Sequence, residues 1–189
     1  MLRKARESAR AAEAMIERDA DRLERCVEQM AARFTAGGRL WLMGNGGSAC
    51  DAQHLAVELV HPIVEKRRAL PAIALTTDSA TLTAIGNDAD FTLIFAEQLR
   101  VLGSPGDLAL GISSSGQAAN VIRGIERARQ LGMLTIALTG RDGGRLASIA
   151  EHVFVVPSFS IHRIQECHTL LVHLLWDHLH IALGEEDVL

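Results

Sequence analysis

The chain has 189 residues, enough for one domain with a hydrophobic core of its own. Apolar residues make up 48% and charged residues 22%, the balance of an ordinary globular protein, and no apolar run reaches the ~18 residues of a membrane span. With a formal net charge of -4 and no basic block beyond Lys66-Arg67-Arg68, neither a nucleic-acid face nor a membrane partner is expected.

Residues 2–36 carry apolar side chains at spacings of three, four and seven: Ala12, Met15, Ile16, Leu23, Cys26, Val27, Met30 and Phe34. That spacing predicts one long amphipathic helix, closed by Gly37-Gly38. Its recurring charges do not read as the apolar core of a signal peptide, and none is expected. It either packs on the core of its own subunit or serves oligomerisation. Cys26, Cys50 and Cys167 show no CxxC spacing or even-numbered framework. They read as free thiols, and a cytoplasmic location is expected.

Short apolar runs then follow at 40–43, 72–75, 108–112, 134–138 and 152–156. Helical patterns separate most of them, at 49–59, 79–86, 91–102, 117–131, 144–149 and 161–183. Continuous apolar strands alternating with amphipathic helices predict a three-layer α/β fold around a mostly parallel, five-stranded sheet. No linker or repeat interrupts the pattern, so a single domain over residues 1–189 is expected.

In open α/β sheets, ligands bind beyond the carboxyl ends of the strands. Two such turns are rich in glycine and serine. Gly44-Asn45-Gly46-Gly47-Ser48 opens a helix. Its glycines let the backbone approach an anion, the helix N-terminus supplies free N–H groups, and Ser48 adds a hydroxyl. It lacks a P-loop lysine and the GxGxxG spacing, and a purely structural turn is the alternative. Gly111-Ile112-Ser113-Ser114-Ser115-Gly116-Gln117 places three hydroxyls before a second helix. A phosphomonoester needs such a cup of donors, and three serines exceed what capping requires. A third turn, 139–144, has no hydroxyl cluster and is read as structural.

The acid–base and metal candidates lie on helices. His54 and Glu58 stand four apart, hence on one helix face, where they can share a proton, a metal or only a surface contact. The full HExxH motif is absent. Five of the eight histidines fall after residue 160, and Gln165, His168 and His173 are candidate inward groups. Gln165 and His173 are eight apart, ~12 Å along a helix, so a centre using both is expected to draw on neighbouring subunits. Gly86-Asn87-Asp88 forms either a simple turn or a holder for sugar hydroxyls.

These segments in this order, with Ala52-Gln53-His54, Leu70-Pro71-Ala72-Ile73-Ala74, Leu138 to Gly144 and Arg163-Ile164-Gln165-Glu166, resemble the phosphoheptose isomerases of the sugar isomerase (SIS) domain family. The resemblance spans nearly the whole chain. It implies a homotetramer with active sites between subunits. It implies substrate contacts from Asn45, Gly46, Gly47, Ser48, Asn87, Asp88, Ser113, Ser114, Ser115, Glu58 and Gln165. It implies one zinc per subunit on His54, Glu58, Gln165 and His173, either polarising the carbonyl or organising the site. Glu58 and His173 would be the acid–base pair that converts D-sedoheptulose 7-phosphate to D-glycero-D-manno-heptose 7-phosphate, for nucleotide-activated heptose synthesis. The chain departs from the family at Ala118, often serine, at Pro62, often arginine, and at His162. A same-fold relative that binds the bacterial replication initiator resembles these isomerases without the acid–base pair. It is the alternative reading, together with a sugar-phosphate sensor.

Overall fold

A computed structural model describes residues 1–63 and 67–187, so Lys66 of the basic block lies outside the described residues. Helix α1 (Leu2–Thr35) turns Met15, Leu23, Cys26, Val27, Met30, Ala31 and Phe34 into the core. Gly37 ends it at φ +89°: Gly37 N–H donates to Phe34 O, and Gly38 N–H donates to Arg33 O. This left-handed closure satisfies two of the carbonyls a helix end leaves open. The first ten residues of α1 are mostly exposed.

The five strands are β1 (Leu40–Gly44), β2 (Ala72–Ala74), β3 (Leu108–Ser113), β4 (Leu134–Gly140) and β5 (His152–Val156). They pair in parallel in the order β2-β1-β3-β4-β5. Every residue of β1, β3 and β4 is buried, which is why these strands read as unbroken apolar runs rather than alternating ones. Side chains still alternate between faces. Leu40, Leu42, Leu108, Leu110 and Ile112 meet α1, α2 (Gly47–Val60) and α6 (Ile161–Ala182). Trp41, Met43, Ala109 and Ala137 meet α4 (Ile94–Leu102) and α5 (Ala119–Gln130), with Leu82 and Ile85 of α3 (Ser79–Asp88) at the margin.

The edge strand β5 is closed by α1. Arg18 and Arg22 flank the buried Asp19 and donate to the carbonyl oxygens of Val155 and Val153. Charged groups thus occupy an edge that would otherwise present open strand carbonyls.

Three local expectations shift. Asn87 and Asp88 lie inside α3, which runs to Asp88 behind an Asp78 cap that accepts from Thr81 N–H. Gly86 does not break the helix. The 91–102 stretch begins as a 3-10 turn, Phe91–Leu93, behind the Asp90 cap. The 144–149 stretch is only a 3-10 turn, Arg145–Ser148, because Gly144 at φ +54° leaves too short a segment for an α-helix.

Candidate active site

In the order β2-β1-β3-β4-β5 the chain reverses direction across the sheet between β1 and β3. In open α/β sheets such a switch point, beyond the strand ends, is where ligands bind. Both glycine- and serine-rich turns lie there, because β1 runs into Asn45-Gly46 and β3 ends at Ser113. They are tied together. Asn45 Nδ2 donates to Asn120 Oδ1 at 2.8 Å, and Asn120 Nδ2 donates back to Asn45 Oδ1 at 2.8 Å. Asn120 is buried in the first turn of α5, where its Oδ1 also accepts from Val121 N–H. Nothing in the sequence spacing singles Asn120 out, since its partner is 75 residues away.

The serine turn is built on a rigid base. Ser113 is buried, and its carbonyl accepts from Gly116 N–H, while Ser115 Oγ accepts from Gln117 N–H. Ser114 and Ser115 are partly exposed at the mouth. Gly116 has φ +64°, and a Cβ there would meet the backbone of Gly143; a Cβ on Gly144 would meet Ser115 O and Gly116. Leu146 N–H donates to Gly116 O. The third turn is therefore structural, as read from sequence, and specifically a buttress under the serines. Ala118 precedes α5 with no side-chain cap, so α5 opens with N–H groups that no side chain at that position satisfies.

Helix α2 packs against helix α6. His54 Nε2 lies 3.1 Å from Glu58 Oε1, and His173 Nε2 lies 3.6 Å from the same oxygen. The imidazoles meet edge to face with centroids 5.0 Å apart. One ligand atom from each of the three falls within 4.8 Å of the others. Glu58 Oε2 is buried with no hydrogen-bond partner. Two imidazoles and one carboxylate, one of whose oxygens is orphaned, are a donor set that could hold a metal ion.

Gln165 sits elsewhere on α6. Its side-chain amide packs over Gly47, occupying the space that a Cβ at that position would need. A single chain thus brings together three of the four expected ligands, and Gln165 closes over the first glycine turn. Ser48 is buried at the start of α2. Below it Asp51 accepts from Thr169 Oγ1, keeps Oδ2 unpartnered, and has its carboxyl pKa raised by burial.

Asn87 and Asp88 are exposed at the end of α3 and hydrogen bond to each other. Asp88 rims a groove of about 680 Å³ between α3 and α4 that holds none of the other candidates. His168 is fully buried, and its Nε2–H donates to Thr139 O at 3.0 Å; burial pushes its pKa down to about 4. Of the three inward candidates on α6, His168 is a core group. His162 is exposed one turn before Gln165.

The SIS domain family model matches residues 5–140. The "Phosphoheptose isomerase" of Aquifex aeolicus is 51% identical over 170 residues, 90% of this chain and 89% of that protein. Phosphoheptose isomerase GmhA from Neisseria gonorrhoeae superposes with a TM-score of 0.88 at 40% identity, covering 94% of this chain and 95% of that one. A phosphoheptose isomerase from Francisella tularensis gives 0.82 at 37%, covering 95% and 98%. On fold, site geometry and sequence together, the chain belongs to the phosphoheptose isomerase family of SIS-domain proteins.

Proposed function

We propose that this protein is an aldose–ketose isomerase that converts D-sedoheptulose 7-phosphate to D-glycero-D-manno-heptose 7-phosphate. The observation that carries the reading is the His54–Glu58–His173 cluster, built by one chain beside two turns suited to phosphate. Relatives named phosphoheptose isomerase agree with it. The replication-regulator alternative is not favoured, because Glu58 and His173, the residues expected to form the acid–base pair it lacks, stand 3.6 Å apart here.

The phosphate would sit against Ser113, Ser114 and Ser115 and the open N–H groups of α5, with Asn45, Gly46, Gly47 and Ser48 on the other wall. Glu58 would then take the proton from C1 of the ketose and return it at C2. His173 would move the proton between O1 and O2 as the enediol forms and collapses. No atom is gained or lost. Gln165 would hold sugar hydroxyls across Gly47, and Asn87 and Asp88 would do so from a neighbouring subunit. His54, Glu58 and His173 would hold one zinc per subunit, with Gln165, which here lies over Gly47, as the expected fourth ligand; the ion would either polarise the carbonyl or organise the site.

The reading includes one SIS domain over residues 1–189 in a cytoplasmic homotetramer, with α1 contributing to assembly through its exposed first turns. The product would feed nucleotide-activated heptose synthesis. Incubating the purified protein with sedoheptulose 7-phosphate, with and without a chelator, tests it. Aldose formation is expected, and an inert protein at full zinc loading rejects the reading.

A further inference from the structure

Glu58 is held at two points by one turn of α6. Its carboxylate faces His173, and its backbone carbonyl oxygen accepts from Trp176 Nε1–H at 3.0 Å. His173 and Trp176 are three apart on α6, hence on one face. The indole is itself fixed. The Arg67 guanidinium lies 4.4 Å over its ring and pairs with Asp177 at 2.6 Å, with the Arg67 side chain only 3% exposed. His180 meets the indole edge at 5.0 Å and is bonded to Glu185, which also pairs with Arg68. Leu70 N–H donates to Leu59 O, so the returning chain is stitched to the residue after Glu58.

This arrangement exceeds what packing requires. Glu58 is two residues from the end of α2, where helices fray and carbonyls lack intrahelical donors. A general base there needs an external anchor to keep its carboxylate in register with an imidazole on another helix. We propose that Trp176 is a positioning residue for the acid–base pair: its indole N–H sets the Glu58–His173 separation, and Arg67 clamps the indole. The inference rests on the isomerase reading and deepens it.

The test is Trp176→Phe, which keeps an aromatic ring under Arg67 and removes the donor together with part of the buried ring. With sedoheptulose 7-phosphate, kcat is expected to fall about 5- to 20-fold with KM changed less than about twofold, since the phosphate turns are untouched. Zinc affinity, measured by competition with a chelator, is expected to weaken several-fold. An unchanged kcat and zinc affinity in the folded variant overturns the proposal. So does an equal loss in kcat and in phosphate-dependent KM, which signals general damage. If Trp176→Phe does not fold, Arg67→Lys carries the test: it keeps the charge on Asp177 and loses the planar stack. A kcat fall with constant KM supports the clamp, and wild-type kcat overturns it. Glu58→Gln run in parallel separates the two levels. Turnover surviving in that variant rejects Glu58 as the base, whereas its loss beside an unchanged Trp176→Phe rejects the positioning role alone.

Discussion

The side-chain amides of Asn45, in the turn after β1, and Asn120, in the first turn of α5, are joined by two hydrogen bonds. They fix the spacing of the two turns proposed to face the phosphate. A neutral hydrogen bond contributes about 1 kcal/mol, a factor of about 5 in an equilibrium. Asn120→Ala is therefore expected to raise KM for the sugar phosphate about 5- to 10-fold with kcat within about twofold. Steady-state kinetics check this, and a kcat loss at constant KM would place the clasp with the chemistry instead.

The buttress under the serine turn makes a second prediction. Gly116 combines φ +64° with the backbone of Gly143 at the place of a Cβ. Backbone atoms cannot swing aside as a side-chain end can. Gly116→Ala is expected to cost about 2 kcal/mol or more of stability and to weaken capture of phosphate esters. Gly47→Ala meets only the mobile end of Gln165. It is expected to keep its stability within about 0.5 kcal/mol while losing substrate affinity. Urea unfolding of both variants, with KM measured beside it, tests the contrast.

His168 makes stability depend on pH. Its folded pKa of about 4 lies below the ordinary 6.5 because the ring is buried. The unfolded chain therefore binds more protons between those values, and stability rises with pH there. The contribution is full above about pH 6.5 and is lost as pH falls toward 4, on the order of 3 kcal/mol in all. His152 and His180 are shifted the same way by burial and add to the slope. His168→Gln keeps a donor for Thr139 O and is expected to flatten, not abolish, the decline in urea stability between pH 7 and 5.

The metal cluster predicts a separable loss. His54→Ala is expected to weaken zinc at least about tenfold in chelator competition, because it removes one of two imidazoles near Glu58. Binding of inorganic phosphate, whose proposed donors sit on the serine turn and at the N-terminal end of α2 at least six residues before His54, is expected to stay within about twofold. Parallel loss of both would mean that the two halves of the site are one folding unit.

The sheet was legible because fully buried parallel strands are short apolar runs and the helices between them keep a 3.6-residue period. Even the end of α1 was readable, since Gly37-Gly38 closes it by the expected left-handed turn. The glycine and serine turns were legible for the same reason: each lies within a few residues of its strand. What spans the sequence was not. The Asn45–Asn120 clasp joins residues 75 apart, and Trp176 reaches Glu58 across 118. Periodicity carries no information on such pairs. The histidines of α6 show the limit most directly. His168 and His173 have the same chemistry five residues apart, yet one is sealed on Thr139 O and the other faces Glu58, a difference set by which helix face meets the sheet.

The most direct test of the account compares wild type with Glu58→Gln at full zinc loading, following sedoheptulose 7-phosphate by NMR in deuterated water. Wild type is expected to form the aldose with deuterium entering at C2, the former carbonyl carbon. The variant, folded and still binding inorganic phosphate, is expected to lose turnover and exchange by about 10²- to 10⁴-fold. Wild-type rates of both in the Glu58→Gln protein would contradict the account.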